Sequence, residues 1–143
     1  MKLNIIISPD KEEKIIIYAH EKTKLITDIE NLINNNKISL TGHIDDEIIP
    51  IDINEVQCFF IQQNKLFCFV DNKKLHIKAR LYEIENINNP NFIKINQSCI
   101  INIKYIKKFK ASFNGQLMVI LSNGYYDYIS RRELKKVKER LGL

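Results

Sequence analysis

The sequence predicts a mainly β fold, α+β overall, in which an antiparallel β domain with short helices follows a small β-α-β element. Short apolar runs rich in β-branched residues alternate with turn dipeptides, and few stretches show helical spacing. Asp71-Asn72, Asn114-Gly115 and Asn123-Gly124 each stand between two apolar runs. Asn-Gly supplies the positive φ angles that tight hairpin turns require. The rear part of the chain is therefore expected to consist of hairpins.

The β-α-β element is expected over residues 1–47, in front of the domain at residues 48–143. Strand-like runs occupy residues 2 to 7, 14 to 18, 38 to 44 and 48 to 53. Between the second and third runs, apolar residues spaced i, i+4, i+7 and i+8 predict a helix from about His20 to Asn34. Such short strands and a single apolar helix face can hardly form an independent core. The element is expected to form a dimer or partner interface, or else to cap one end of the β domain.

The rear domain is predicted to contain further strands and two helices. The strands lie near residues 56 to 61, 66 to 70, 74 to 78, 92 to 95, 105 to 113, 116 to 121 and 125 to 129. A short helix fits Ala79 to Ile87, where Leu81 and Ile84 share a face and Pro90 follows. The second helix lies at the C-terminal end and has the clearest local signature.

Charge and composition narrow the function classes. Residues 1 to 53 contain six Lys and ten Asp plus Glu, a net charge of −4, whereas residues 54 to 143 carry a net charge of +9. A domain at +9 indicates a polyanion as partner, although surplus lysine that only keeps a protein in solution gives the same count. No window approaches the roughly 18 uncharged apolar residues of a membrane span, so a cytoplasmic protein without direct membrane insertion is expected. The Ile, Asn and Lys bias indicates an A+T-rich bacterial genome.

The residues that enzymes and metal sites need are scattered. Cys58, Cys68 and Cys99 lie far apart and are expected to be reduced, buried thiols. The histidines are equally dispersed, so the sequence predicts no metal site, and nothing in it calls for a cofactor. No nucleophile-base spacing, carboxylate pair or glycine-rich phosphate loop is present, and the chain is not expected to be an enzyme.

The C-terminal helix begins with an unusual pair of cations. Ser130 and Glu133 form an S-x-x-E capping box that places the helix start at Arg131. Arg131 and Arg132 then occupy the first turn, where the helix dipole disfavours cations by about 0.3–1 kcal/mol each. A nearby phosphate would reverse that sign, and Arg also reads guanine edges. The alternative is that both arginines lie in water or meet an acid such as Asp127.

A polar interruption within an apolar stretch is a second candidate. Asn96-Gln97-Ser98 stands between isoleucines that suit buried positions, so it must leave the strand as a projection. Asn and Gln can each bond the N6 and N7 edge of adenine, while Ser and Lys suit phosphate oxygens. These residues are also common in turns, where their side chains hydrogen-bond to the nearby backbone, so the segment alone does not distinguish a DNA-binding loop from an ordinary turn.

Residues from about Ile48 to Leu141 resemble a LytTR domain, whose core pattern is roughly F-x-R-x-H-R/K-S-x-x-V-N, then a hairpin, then a strand that ends in S-R before a helix. The residues on the first motif are Phe92, Lys94, Asn96, Gln97, Ser98, Ile101 and Asn102, and those on the second are Ser130 and Arg131. The chain departs from the pattern where Asn96 replaces a common His, Gln97 a common basic residue and Lys94 an Arg.

The resemblance implies an elongated β domain and a transcriptional regulator that inserts loops, not a recognition helix, into successive major grooves of double-stranded promoter DNA. The implied contact sites are Asn64-Lys65, Asn96-Gln97-Ser98 and the junction at Ser130, Arg131 and Arg132. The implied backbone neighbours are Lys94, Lys104, Lys107 and Lys108. Two amides suggest an adenine-containing half-site. The resemblance also implies repeated half-sites and a homodimer at least on DNA. A receiver domain does not fit in the residues in front of the LytTR-like domain. The resemblance therefore implies control by a membrane partner protein or by the abundance of the regulator itself.

Two other function classes stay open. A single-stranded nucleic-acid binder would use aromatic rings as stacking faces, although rings in hairpin strands more often pack in the core. The rings concerned are Phe59, Phe60, Phe67, Phe69, Tyr125, Tyr126 and Tyr128. A protein-interaction module or antagonist would keep the fold and lose DNA affinity, which the departures at Asn96 and Gln97 permit.

Overall fold

A computed structural model describes residues 2–12, 14–35 and 39–143. Within these ranges the helices are α1 (Lys24–Asn35), α2 (Leu81–Asn86) and α3 (Arg131–Leu141). The strands are β1 (Ser39–Ile44), β2 (Glu47–Asp52), β3 (Val56–Gln62), β4 (Lys65–Val70), β5 (Lys73–Ile77), β6 (Phe92–Asn96), β7 (Cys99–Asn102), β8 (Ile106–Ala111), β9 (Leu117–Leu121) and β10 (Tyr126–Tyr128). The prediction of a mainly β, antiparallel fold with short helices is confirmed.

The strands form two antiparallel sheets in the described chain. The larger sheet has the order β2-β1-β5-β4-β3-β7-β6, and the smaller has the order β10-β9-β8. β3 is buried on both faces. Because successive side chains of a strand point to opposite sides, its residues contribute alternately to two cores. Phe59 lies in the core that α2 closes with Ile84, and Phe60 lies in the core that β9 and α3 close with Val119 and Val137. The larger sheet is thus the middle layer of the domain.

The C-terminal helix begins and ends where its sequence signature predicts. The Ser130 hydroxyl oxygen accepts the Glu133 N–H at 3.3 Å, which caps the first turn. Gly142 has a φ of 68°, the left-handed conformation in which glycine commonly ends a helix. No helix in the described part of the chain has the length and apolar character that a membrane crossing needs.

The front of the chain differs from the prediction. Residues 2 to 7 and 14 to 18 belong to no helix or strand, so the two strands predicted there are wrong. A β-branched run becomes a strand only where a neighbouring strand completes the ladder, and the described chain offers these runs none. The helix begins at Lys24 and not at His20, because Thr23 caps it and its hydroxyl oxygen accepts the Ile26 N–H at 3.4 Å. Ile38, the predicted start of the next strand, lies outside the described residues.

The next two strands are part of the large sheet. β1 pairs with β2, and its Gly42 also faces Ile77 of β5. A Cβ atom on Gly42 would lie 2.5 Å from the Ile51 side chain, so this close approach requires glycine. The predicted domain boundary at residue 47 falls inside this hairpin and stays a prediction. β7 was not predicted as a strand, since its four residues are all buried and show no alternation.

Candidate nucleic-acid interface

The first candidate segment is the hairpin tip between β3 and β4. Gln62 pairs with Lys65 across the tip, and Gln63 and Asn64 between them have φ angles of 50° and 61°. Two successive positive φ values form the two-residue turn whose twist matches a β-hairpin. Asn64 and Lys65 are exposed. The site residues predicted here therefore stand at the free end of two paired strands.

The second segment is the turn between β6 and β7. Gln97 and Ser98 are exposed, whereas Asn96 is half-buried and its amide is used inside the protein. The Asn96 Nδ2 donates to the Tyr128 carbonyl at 2.9 Å, and its Oδ1 accepts the Ser98 N–H at 2.8 Å. Each bond uses one of the two N–H groups or one of the two oxygen lone pairs of the amide, and together they fix the orientation of the Asn96 side chain. Asn96 is thus placed to position the turn, and its predicted contact with DNA stays a prediction.

The third segment is the junction between β10 and α3. Arg131 and Arg132 are exposed, and within the described residues neither has a hydrogen-bond or ion-pair partner. Asp127, the acid considered as their partner, instead accepts hydrogen bonds from the Tyr125 hydroxyl at 3.3 Å and the Tyr128 N–H at 2.7 Å. Both cations therefore stand free in the first turn of the helix, where the dipole alone disfavours them.

Hydrogen bonds bring the three segments to one end of the large sheet. Ile61, next to the first tip, donates its N–H to the Ser98 carbonyl at 2.9 Å. Ser130, at the junction, donates its N–H to the Ile95 carbonyl at 2.8 Å. The first tip and the second turn are centred two strand spacings apart, about 10 Å. We call this end, with its exposed Asn64, Lys65, Gln97, Ser98, Arg131 and Arg132, the turn end.

The bond from Ser130 to Ile95 changes one detail of the predicted cap. In a complete capping box the Glu133 carboxylate would accept the Ser130 N–H. Here the Ile95 carbonyl takes that N–H, so the described contacts contain only the half of the box in which the serine hydroxyl caps the helix. Local sequence could not reveal this competition, because the acceptor lies on a strand far away in the chain.

The lysines predicted as backbone neighbours do not lie together at the turn end. The Lys94 ammonium is 3.4 Å from the Glu85 carboxylate of α2. Lys104 follows the far end of β7, and Lys107 is the second residue of β8, because the short turn at Ile103–Tyr105 joins these strands away from Gln97. Lys108 faces Ile120 part-way along β8. The structure therefore does not place Lys104 and Lys107 at the turn end, since closeness along the sequence does not make them neighbours in the fold.

One exposed lysine near the turn end was missed by the sequence analysis. Lys110 faces Met118 of β9, which in turn faces Tyr128 of β10, the residue whose carbonyl binds Asn96. The spacing between strands places Lys110 about 10 Å from Tyr128. The signal that could have found it is its position two residues before the Ser112–Gln116 hairpin loop.

The predicted thiols and most of the aromatic rings are in the interior. Cys58, Cys68 and Cys99 are free and buried, and burial raises the pKa of Cys68 to about 12. Thiols that stay protonated at neutral pH are poor nucleophiles and metal ligands. The Phe60 ring stacks on Phe67, Phe69 and Tyr125, with centroids 5.2–5.9 Å apart. These rings pack against each other and are not free stacking faces, whereas Tyr126 and Tyr128 are exposed.

Comparison with known proteins agrees with this architecture. The family model of the LytTr DNA-binding domain matches residues 46–142. A protein of Staphylococcus aureus strain NCTC 8325, named an uncharacterized HTH-type transcriptional regulator, is 36% identical over 146 residues that cover 100% of this chain and 99% of the relative. A protein of the same name from the bovine strain RF122 has the same identity and coverage.

A solved structure shows the same fold. It is the LytTr DNA-binding domain of a response regulator from Bacillus cereus, with a TM-score of 0.69 and 21% sequence identity, over 75% of this chain and 99% of that one. The family match covers more than half of the chain, and the relatives match it from end to end. The chain belongs to the LytTR family of DNA-binding domains.

Proposed function

We propose that this protein is a sequence-specific transcriptional regulator that binds double-stranded DNA with its turn end. One observation carries the proposal: Gln97, Arg131 and Arg132 are exposed together and have no hydrogen-bond or ion-pair partner among the described residues. Free amide and guanidinium groups on a rigid, basic domain are the groups that read base edges and bind phosphates. Because the relatives are bacterial and chromosomal DNA is the target, we place the protein in the bacterial cytoplasm.

The spacing of the segments suits loops that enter the major groove. The groove is about 12 Å wide, and the first tip and second turn are centred about 10 Å apart. The helices are poor candidates for recognition, since α2 has only six residues and α3 packs on β6 with Val137 buried. We therefore infer that the turns and the first residues of α3 read the bases, and that no helix lies along the groove as a recognition helix.

Base preference follows from which side chains are free. Gln97 is suited to the N6 and N7 edge of adenine, whereas both ends of the Asn96 amide are already bonded within the protein. Arg131 and Arg132 are suited to guanine N7 and O6 or to phosphates. The adenine hypothesis therefore rests on Gln97, and replacing the A·T pairs of a half-site should abolish the effect of Gln97→Ala.

The alternatives have weaker support. A single-stranded nucleic-acid binder needs several free rings, and four of the seven candidates, Phe60, Phe67, Phe69 and Tyr125, stack on each other. An interaction module without DNA affinity would have no need for two unpaired arginines in the first turn of α3, where the dipole disfavours them.

We also propose that the protein is a homodimer joined by its front segment, residues 2–35. No side chain described between residues 2 and 33 is buried. The exposed apolar residues of the two β-branched runs are Leu3, Ile5, Ile6, Ile7, Ile15, Ile16, Ile17 and Tyr18. Exposed apolar patches of this kind mark interaction sites. Residues 1 to 35 carry a net charge of only −1, so charge does not oppose their association with a second copy.

The homodimer is tested by the mass of the intact chain in solution. Light scattering should give twice the chain mass, and Ile6→Asp with Ile16→Asp should give the monomer. A wild-type monomer would overturn the dimer and would favour a partner protein, such as one in the membrane, as the occupant of this surface. In a dimer, binding of one domain to its half-site raises the effective concentration of the second domain, so repeated half-sites are bound more tightly than a single half-site.

The DNA-binding proposal is tested by comparing three ligands over a range of salt concentrations: the duplex upstream of its own gene, random duplex and single strands. A regulator that neutralises about six phosphates should give a log-log salt slope near −5 and prefer its own promoter. Arg131→Ala or Gln97→Ala should reduce that preference, while Lys104→Ala at the opposite end should not. Equal, weak binding to all three ligands would reject the proposal.

A further inference from the structure

The loop between β8 and β9 holds a phenylalanine entirely outside the protein. Phe113 has a relative exposure of 107%, higher than that of any other large hydrophobic residue among the described residues. The loop is nevertheless ordered by hydrogen bonds: the Ser112 N–H donates to the Gln116 carbonyl at 2.7 Å, and the Gly115 N–H donates to the Ser112 carbonyl at 3.1 Å. A defined turn therefore presents a ring that contributes nothing to the core.

The same loop adjoins the turn end. The carbonyl of Leu117, the first residue after the loop, accepts the Ile129 N–H at 2.9 Å. Ser130, which follows Ile129, donates its N–H to the Ile95 carbonyl at 2.8 Å. Two successive residues thus join the base of the loop to the helix junction and to β6. The loop therefore projects beside the turn end, next to the helix junction.

The electrostatic surroundings of Phe113 favour a polyanion. No Asp or Glu occurs from residue 86 to residue 126, so the strands that lead into and out of the loop carry no acid before Asp127. Lys110 is exposed near the base of the loop, and Asn114 and Gln116 add exposed amides beside the ring. The loop itself is uncharged, but the Lys110 ammonium beside it is attracted to phosphates and the Phe113 ring needs apolar atoms, and duplex DNA offers both within one groove.

We propose that the Ser112–Gln116 loop is a fourth DNA-contacting element, in which Phe113 makes an apolar contact with a base. The inference rests on the proposed DNA-binding function and adds a contact that is independent of the arginine and amide groups. Either a thymine methyl group or the face of a partly unstacked base supplies the apolar surface. Phe113 then works by contact area, and Lys110 by neutralising a phosphate.

The test uses the full-length protein and its own upstream duplex. Phe113→Ala should weaken specific binding about tenfold. It should leave the salt slope unchanged, because the ring neutralises no phosphate. The midpoint of unfolding should not move, since the side chain makes no core contact. Ile48→Ala, at another exposed apolar residue but on the outer strand β2, is the matched control and should bind as the wild type does.

Two modified duplexes identify the apolar partner. If Phe113 contacts a thymine methyl, deoxyuridine at one position should reproduce the loss and make Phe113→Ala neutral on that duplex. If the ring lies against an unstacked base, 2-aminopurine at that step should brighten with the wild type and not with Phe113→Ala. Phe113→Ala binding as tightly as the wild type would overturn the inference and leave the proposed function intact. A wild type that does not distinguish its promoter from random duplex would remove both.

Discussion

Two asparagines occupy opposite ends of the β6–β7 hairpin and make the same pair of hydrogen bonds. Asn102, at the far end, donates Nδ2 to the Val56 carbonyl at 2.9 Å and accepts the Lys104 N–H at 3.1 Å. Asn96, at the turn end, donates Nδ2 to the Tyr128 carbonyl at 2.9 Å and accepts the Ser98 N–H at 2.8 Å. Each amide clamps its own turn and ties it to a distant strand.

The two asparagines differ in burial, and burial decides what each clamp does. Asn102 has a relative exposure of 0%, so the groups that it satisfies cannot turn to water. Asn96 is half-buried, and the groups around it can be rehydrated at little cost. One amide mainly stabilises the fold, whereas the other mainly positions the exposed residues of the turn end.

The largest effect is expected at the buried clamp. Asn102→Ala leaves the Val56 carbonyl buried without its donor, which should lower the free energy of unfolding by about 3 kcal/mol. Urea unfolding followed by circular dichroism measures this loss. Folded Asn102→Ala should keep the promoter affinity of the wild type, and a loss of affinity without a loss of stability would contradict the comparison.

The next effect is expected at the free cations of the turn end. Arg131→Ala should cost about 2 kcal/mol of specific binding energy, roughly a thirtyfold loss of promoter affinity, because a guanidinium contact with a base or phosphate disappears. Lys104→Ala is the matched cation at the far end and should leave specificity unchanged. Fluorescence anisotropy titrations of the labelled promoter duplex measure the affinity of both variants. Equal losses of affinity in the two variants would show that both ends of the sheet contact DNA.

A smaller effect is expected at the exposed clamp. Asn96→Ala should lower the free energy of unfolding by only about 1 kcal/mol and weaken DNA binding a few-fold. A double-mutant cycle with Arg131→Ala should show coupling, since Asn96 holds the junction that carries Arg131. The few-fold loss should be the same on every promoter variant. If the loss of affinity caused by Asn96→Ala vanishes when one base pair of the promoter is changed, Asn96 reads that base pair and is not a positioning residue.

The smallest effect separates two lysines on one strand. Lys110→Ala should reduce the log-log salt slope by about 1, because one phosphate contact near the turn end is lost. Lys107→Ala, at the far end of β8, should leave the slope unchanged. Titrations between low and moderate salt measure both. A reversed result would move the DNA contact to the far end of the sheet.

Most of the fold could be predicted because its signals are local. The Asn114-Gly115 and Asn123-Gly124 turns, the Ser130 cap and the Gly142 stop depend on a few adjacent residues, and Gly115, Gly124 and Gly142 have positive φ angles. The prediction of strands at residues 2 to 7 and 14 to 18 was wrong, because strand formation needs a partner strand, and short-range sequence does not specify where in the chain or in another molecule that partner lies.

The candidate site was predicted only as separate segments. Gln97, Arg131 and Arg132 could be predicted as candidates because polar and cationic residues interrupt apolar or capped stretches, and their contact with DNA stays a prediction. The role of Asn96 was not visible, since its partner Tyr128 is 32 residues away in the chain. The far position of Lys104 and Lys107 was also hidden, because it follows from the direction in which β7 runs.

The sequence by itself determined the β class, the turns, the start and end of the last helix, and which polar residues interrupt the strands, because each depends on backbone preferences over a few neighbouring residues. Only the tertiary structure decided that three distant segments share one end of a sheet, that one asparagine amide is occupied and that Phe113 stands beside them. Those facts depend on strand order and on hydrogen bonds between distant residues, which local preferences do not specify.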